Sequence, residues 1–505
     1  MNFMQTLCTK GLDYVLSDLQ FRPIVPTNGT RFAKLLQRIK DENLRVYVDY
    51  DCDPDGYFSG LILVETFKLL GFHNYTLVKH CTKRHSLNAT EVASIANEHY
   101  DVVFVLDSST NDLNLISQIT DSGATLCIID HHESHYLFAD HPSNAIIVNP
   151  KIDSLYNKVC YDCLSAGALT ALLCTFTLQT EFNIRPPVDL YLYGIITLYS
   201  DIMDLSNAYN IAYIAKFQNT QLISSPLIKL FWNEKYSHFD KSYISFNLIP
   251  KLNSLFRTEN FSLLYRLFFE SDNIDYDAVR QQIEEHYIEC KKYTARLVAS
   301  CRVDSSHGVV LAVMQNTHET YARNFTGLVA NKFASEYNKP VLCLHQTTPV
   351  SWGGSVRDPL SRNVLSLFRP LCYAEGHKAA FGVEIPVAEL DTIMYLLDDA
   401  ISSFTDLNES VIIFDWDKNP NYHNDIQQMA LFNEYGGQGL PMVLGALTVQ
   451  PRWKIYRSEN KTSVYGDQQK FLCFVPTLDV GDTMLVKPTL SGSSYTNMVN
   501  TIHLN

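Results

Sequence analysis

Leu126-Cys127-Ile128-Ile129-Asp130-His131-His132 is a short apolar run that ends on a carboxylate and two imidazoles. Two other apolar runs in the first 130 residues also end in carboxylates. Arg45-Val46-Tyr47-Val48 leads into Asp49-Tyr50-Asp51-Cys52-Asp53-Pro54-Asp55-Gly56, and Val102-Val103-Phe104-Val105-Leu106 leads into Asp107. Runs this short and this apolar read as buried parallel strands. In an open α/β sheet ligands collect beyond the carboxyl ends of the strands, so the three acidic endings are expected to converge on one crevice. Carboxylates crowded together resist ionising, and bound cations relieve that repulsion. Carboxylate and imidazole donors without thiolate suit Mn²⁺ or Mg²⁺. Two such ions roughly 3.5–4 Å apart suit phosphoester hydrolysis.

The rest of the chain extends the α/β pattern. Phe58–Leu70 has helical apolar spacing, Tyr75-Thr76-Leu77-Val78 reads as a strand, and Ala145-Ile146-Ile147-Val148 as another, followed by a helix over Leu164–Leu178. Residues 206–275 read as several short helices. Apolar residues at Val279, Ile283, Tyr287, Cys290, Tyr293 and Leu297 predict one long helix from Asp275 to Ser300 that connects two lobes. A second α/β unit opens with Gly308–Val313 and continues through a helix over Thr326–Tyr337 and a strand at Pro340–Leu344. After about residue 430 come short alternating strands, including Trp453–Tyr456 and Phe471–Val475, the texture of a small β-barrel.

Four segments are expected: 1–205, a doubly wound catalytic lobe; 206–305, a helical region with the connector; 306–405, a second α/β lobe; and 406–505, an OB-like barrel. A chain of 505 residues is too long for one core. With 46% hydrophobic and 19% charged residues it has no disordered signature, and no apolar run reaches the roughly 18 residues of a membrane span. The start, Met1-Asn2-Phe3-Met4-Gln5, lacks the order of a secretory signal, which with the irregularly spaced 12 cysteines predicts a reduced, cytoplasmic protein. Cys160-Tyr161-Asp162-Cys163 has no second pair at zinc-finger spacing. A net charge of −14 excludes broad electrostatic adhesion to nucleic acid and confines any such contact to a local groove.

Asp51-Cys52-Asp53-Pro54-Asp55-Gly56, Asp107, Asp130-His131-His132 and Asp201 resemble, in order, the motifs of the DHH phosphoesterases. Later segments resemble the RecJ family of single-strand-specific exonucleases within that superfamily. They are Asn247–Arg257, Phe325-Thr326-Gly327-Leu328-Val329-Ala330 through Pro340, Gly354-Ser355-Val356-Arg357, Gly376–Gly382 and Tyr435–Pro441. The resemblance covers nearly the whole chain. It implies a DHH lobe, a connector helix, a DHH-associated lobe and a nucleic-acid-binding barrel, with two Mn²⁺ or Mg²⁺ ions as cofactors. By this resemblance Asp51, Asp53, Asp107, His131 and Asp201 are metal ligands, with Asp107 bridging. His132 is a charge stabiliser or proton donor at the scissile phosphate, and Asp49 and Asp55 form a secondary shell. Arg84, Arg257, Ser355, Arg357 and His377 face the strand or its terminal phosphate.

The implied activity is removal of nucleotides from the 5′ end of single-stranded DNA, in DNA repair and recombination. Single-stranded DNA is the implied partner, with room for single-strand-binding or helicase proteins and none for a membrane. Two alternatives stay open: a nanoRNase or cyclic-dinucleotide phosphodiesterase, which the connector and barrel oppose, and a catalytically silent scaffold of a replication or repair assembly, which the intact ligands oppose. The chain departs from the family where Asp49 stands in place of a histidine that relatives can carry, where Gly-Tyr-Gly is missing after Arg84, and where Glu375 replaces the first Gly of Gly-Gly-His. Trp453, Tyr456 and Phe474 read as core before base-stacking platforms, and His135 and His141 as solvent or loop residues.

Overall fold

The computed structural model describes the chain apart from residues 1–2, 18, 22–24, 86, 153–162, 219, 221, 235, 237, 271–273, 316–320, 360–361, 403–410, 419–422, 436–438, 459–460, 466–469, 474–478, 482, 492–493 and 500–505. Cys160, Phe474 and the centre of the Tyr435–Pro441 motif therefore lie outside the described residues.

The apolar runs form the parallel sheet expected of them. Strands β1 (Val46–Tyr50), β2 (Tyr75–Leu77), β3 (Val102–Leu106), β4 (Thr125–Ile129) and β5 (Ile146–Val148) lie in the order β2-β1-β3-β4-β5. Every neighbouring pair is parallel. All five residues of β3 are buried, because both of its faces are covered. Val103 and Val105 pack with Val92 and Ile95 of the helix Ala89–Glu98 and with Ile116 and Ile119 of the helix Leu113–Asp121. On the other face the Phe104 ring meets Phe32 and Phe67 edge-on, from the helices Gly29–Glu42 and Pro54–Leu69. The chain winds outward from β1 to β2 and then in the opposite sense to β3, so the switch in winding falls between β1 and β3, where ligand crevices form in such sheets.

The chain forms two compact units. The first comprises residues 1–252, 261–276 and 411–505, and the second 253–260 and 277–410. In the second, the helix Tyr276–Ser300 and the helix Thr326–Tyr337 take the spans the sequence predicts to within one residue. There β6 (Arg302–Asp304), β7 (Val310–Val313), β8 (Val341–Thr348), β9 (Ser351–Arg357), β10 (Tyr373–His377) and β11 (Ala380–Pro386) form a mixed sheet in the order β10-β11-β9-β8-β7-β6.

The C-terminal strands pack with the first unit. They are β12 (Val411–Asp415), β13 (Met442–Thr448), β14 (Lys454–Ser458), β15 (Lys461–Tyr465), β16 (Lys470–Cys473), β17 (Thr483–Ser491) and β18 (Ser494–Val499). Their order, β12-β13-β17-β18-β16-β15-β14, leaves β12 and β14 as unpaired edges among the described residues, so the OB-like barrel expected from the sequence is not closed there. Alternation within a strand specifies which face is buried, whereas closure depends on tilt and stagger summed over the whole sheet. Among the described residues no helix is long and apolar enough to cross a membrane.

Candidate metal centre

Asp51, Asp107 and Asp130 are each the first residue beyond a strand of the parallel sheet, and the ladder still holds their backbones. Asp51 N–H donates to Leu106 O at 3.1 Å, Asp107 N–H to Ile129 O at 2.8 Å, and Asp130 N–H to Val148 O at 3.0 Å. Asp107 has φ 67°, the left-handed region that Asp enters more readily than bulkier residues. After Asp51 the chain turns at once into the helix Pro54–Leu69. Asp53 is its N-cap, accepting from Gly56 N–H at 3.1 Å. A Cβ on Gly56 would lie 2.4 Å from Asp51 O, so only glycine lets the first helical turn close against the acidic strand end.

Carboxylates from two strand ends and one helix end converge on the imidazole of His131. His131 Nε2 lies 3.3 Å from Asp107 Oδ1, 3.4 Å from Asp201 Oδ2 and 3.6 Å from Asp55 Oδ2. Asp51, Asp53 and Asp107 bring one oxygen each within 4.8 Å of one another, as do donor atoms of Asp107, His131 and His132. Asp107 Oδ1 is buried and accepts no hydrogen bond among the described residues. Asp201, at the C-cap of the helix Val188–Ser200, faces this cluster, whereas Asp204 accepts from Ser206 N–H at 2.7 Å. Asp55 stands closer to the centre than a secondary role implies, but its oxygens also accept from the N–H groups of Ala166 and Gly167, at 2.9 and 2.8 Å, at the start of the helix Ala166–Thr180.

Asp130 has a different task. One oxygen accepts from the backbone N–H of His131 and from His132 Nδ1, both at 2.7 Å, and the other from Thr110 Oγ1 at 2.6 Å. With its acceptor capacity used this way it orients the histidine pair. Burial works against its ionisation, yet His132 and these hydrogen bonds hold its carboxyl below the usual range. Burial likewise disfavours the His132 imidazolium, but the Asp130 carboxylate overrides it and pushes the pKa up to about 10.

The uncompensated carboxylates behave in the opposite way. Burial, then the charges of Asp55, Asp53, Asp51 and Asp201, raises Asp107 well above the usual carboxylate value. Burial, then Asp201 and Asp53, does the same to Asp55, and burial, then Asp51 and Asp201, pushes Asp53 up to about 6. This donor set fits hard divalent cations: oxygens and imidazole only, a buried carboxylate oxygen without a hydrogen bond, and a negative excess that a cation would relieve.

The segment between β2 and the helix Ala89–Glu98 lies against this strand end. The sequence reading placed Arg84 towards nucleic acid, but its guanidinium is turned onto Asp49 at 2.6 Å and Glu91 at 2.7 Å. A buried carboxylate captures the nearest cation. Asp49, expected in an outer metal shell, is thus paired with Arg84, although burial still pushes its pKa up to about 7. Next to Arg84, His85 Nδ1 lies 3.0 Å from Asp51 Oδ2. Sequence reasoning passed over His85, since nothing in its spacing announces a contact made by a loop. His141, read as a solvent or loop residue, is buried, with its ring nitrogens at Leu137 O and Thr110 O. His135 is exposed. Trp453 is buried, and Tyr456 is exposed beside Tyr465.

The second unit, taken by itself, holds the other expected residues. Burial, then the charge of Arg357, lowers the Arg257 pKa to about 10. Among the described residues neither guanidinium has a carboxylate within ion-pair distance; Arg357 Nη1 donates to Val356 O at 2.7 Å. Ser355 Oγ and Thr326 Oγ1 are 2.8 Å apart at the start of the helix Thr326–Tyr337, and a Cβ on Gly327 would lie 2.5 Å from Arg357 Nη2. Two guanidiniums, a hydroxyl pair and a helix N-terminus suit an anion. His377 is exposed on β10, in register with Ala380 and, through it, with Arg357.

Residues 43–195, which contain this sheet, match the model of the DHH family, N-terminal domain. The resemblance to RecJ also holds across most of the chain. A putative SPbeta prophage-derived single-strand DNA-specific exonuclease, YorK, of Bacillus subtilis strain 168 is 24% identical over 417 residues, 74% of this chain and 68% of that protein. The single-stranded-DNA-specific exonuclease RecJ of Haemophilus influenzae is 21% identical over 472 residues, 86% of this chain and 80% of that protein. The crystal structure of RecJ from Thermus thermophilus in complex with Mn²⁺ shares the fold, with a TM-score of 0.77 at 17% identity, over 98% of this chain and 74% of that one.

Proposed function

We propose that this chain is a metal-dependent exonuclease that hydrolyses single-stranded DNA from its 5′ end. The observation that carries this reading is the convergence of Asp107, Asp201 and Asp55 on His131 Nε2, with a buried Asp107 oxygen that accepts no hydrogen bond among the described residues. Asp51, Asp53, Asp107, His131 and Asp201 would hold two Mn²⁺ or Mg²⁺ ions. Such a pair supplies an activated water and stabilises the entering and leaving oxygens of an in-line displacement at phosphorus. Asp55 supports the cluster from the helix terminus. His132, fixed by Asp130, presents its ring to the phosphate as charge stabiliser or proton donor. Arg257, Ser355 and Arg357 grip the 5′-terminal phosphate, Arg being suited to this by its planar donor fork. His377 contacts the strand. The names of the relatives support single-stranded DNA as substrate.

The test is digestion of single-stranded and duplex DNA and RNA, each labelled at one end, with Mn²⁺ or with chelator. The expected result is metal-dependent release of 5′-terminal nucleotides from single-stranded DNA. Activity confined to two- or three-nucleotide substrates would replace this reading with an oligonucleotide phosphodiesterase, and no hydrolysis under any metal would overturn it.

A further inference from the structure

Residues 78–85 make a strap whose contacts run along the first acidic segment residue by residue. Arg84 holds Asp49 at 2.6 Å. Tyr50 is held twice, its hydroxyl donating to Val78 O at 2.8 Å and its carbonyl meeting His80 Nε2 at 2.9 Å. Cys52 Sγ lies 3.7 Å from Thr82 O. Between them, Asp51 receives His85. Four consecutive residues are thus fixed by one segment, and the segment is itself tied to the helix Ala89–Glu98, because Glu91 takes both Arg84 and the Asn88 backbone N–H. The His85 contact is therefore registered by its neighbours and is not a chance pose of a surface side chain. Asp51 Oδ1 accepts the Cys52 backbone N–H at 2.7 Å, and Oδ2 meets His85 Nδ1 at 3.0 Å, so the carboxylate plane is held from both ends.

Resting on the metal-centre reading above, we propose that His85 is a positioning residue. Its Nδ1–H donates to Asp51 Oδ2 and fixes that carboxylate in the orientation that receives a divalent cation, so His85 sets the affinity for the ion held by Asp51 and Asp53. Hydrogen-bond partners of metal ligands typically govern affinity by about 10–100-fold. Asp51 is 4% exposed, whereas the His85 side chain is 69% exposed, so His85 can be changed without opening the core.

The experiment is Mn²⁺ titration of the full chain, followed by calorimetry and by the electron paramagnetic resonance of free Mn²⁺, for wild type, His85→Ala, His85→Asn and Asp107→Asn. Expected is a Kd for one class of ion raised about 10–100-fold in His85→Ala, the other class unchanged, and substantial recovery in His85→Asn, whose amide can donate from near the Nδ1 position. Wild-type Mn²⁺ affinity in His85→Ala, or equal weakening in His85→Asn and His85→Ala, would overturn the proposal while the metal-centre reading stood. If wild type bound no Mn²⁺ and Asp107→Asn changed nothing, the metal-centre reading itself would fall, and this inference with it.

Discussion

The two units carry opposite charge imbalances. In the first, burial and neighbouring like charges raise the pKa values of Asp53, Asp55 and Asp107. In the second, Arg257 and Arg357 lie close together without a carboxylate in reach among the described residues. A few residues from the acidic cluster, Arg84 and Asp49 form a satisfied pair of the same residue types. Buried charge is expensive, and where folding alone governs it is paired, as at Arg84. Where it stays unbalanced, a partner from outside would restore the balance: a cation for the acids, an anion for the arginines.

The sharpest test of that contrast is Asp107→Asn, which keeps a side chain tolerant of positive φ while removing one charge. Nuclease activity at saturating Mn²⁺ should fall on the order of 10³-fold or more. Thermal unfolding should show a sign reversal: the variant more stable than wild type in chelator, less stable in Mn²⁺. Next in size, Arg84→Gln leaves Asp49 buried without its cation and should destabilise by roughly 3 kcal/mol in a denaturant titration. Arg357→Gln, the same substitution at an unpaired guanidinium, should be neutral or stabilising. Equal losses in the two would erase the distinction between paired and unpaired arginines.

A smaller effect separates the second site from the first. Arg357→Ala should raise KM for 5′-phosphorylated oligonucleotides about 10-fold, roughly 1.4 kcal/mol, with kcat and Mn²⁺ affinity unchanged. Loss of kcat in parallel would place Arg357 at the chemistry instead.

The smallest effect is a pH dependence from His80, which burial and then Arg84 lower to about 4. Its folded pKa lies below the ordinary 6.5, so the unfolded chain binds the proton more readily. Its contribution is therefore complete above pH 6.5 and is lost as pH falls towards 4. In His80→Gln the slope of unfolding free energy across that window should be shallower, by a total on the order of 1 kcal/mol. An unchanged slope would mean that the His80 contacts with Tyr50 and Arg84 do not bias its protonation.

Much of the first sheet was legible because its strands are short, apolar and bounded by acids, a pattern set by local sequence. The placing of Asp201 at His131 was legible only through the resemblance, since Asp204 offers the same chemistry three residues on and geometry alone separates them. Arg84 and His85 were harder. Their partners, Asp49 and Asp51, are 35 and 34 residues away, and the contacts depend on how a loop folds back, which no periodicity encodes. The C-terminal strands were visible one by one, but their order and their membership of the first unit depend on long-range pairing.

That membership has a consequence for how the protein is made. Phe3, in the helix Phe3–Thr9, packs edge-on against Phe414 and Phe432, so its ring meets these two partners only when more than four hundred further residues have been synthesised. On the ribosome the second unit, whose residues end at 410, is complete before the first has its last strands. The nascent chain must therefore carry Phe3 without the rings of Phe414 and Phe432 until those residues have emerged.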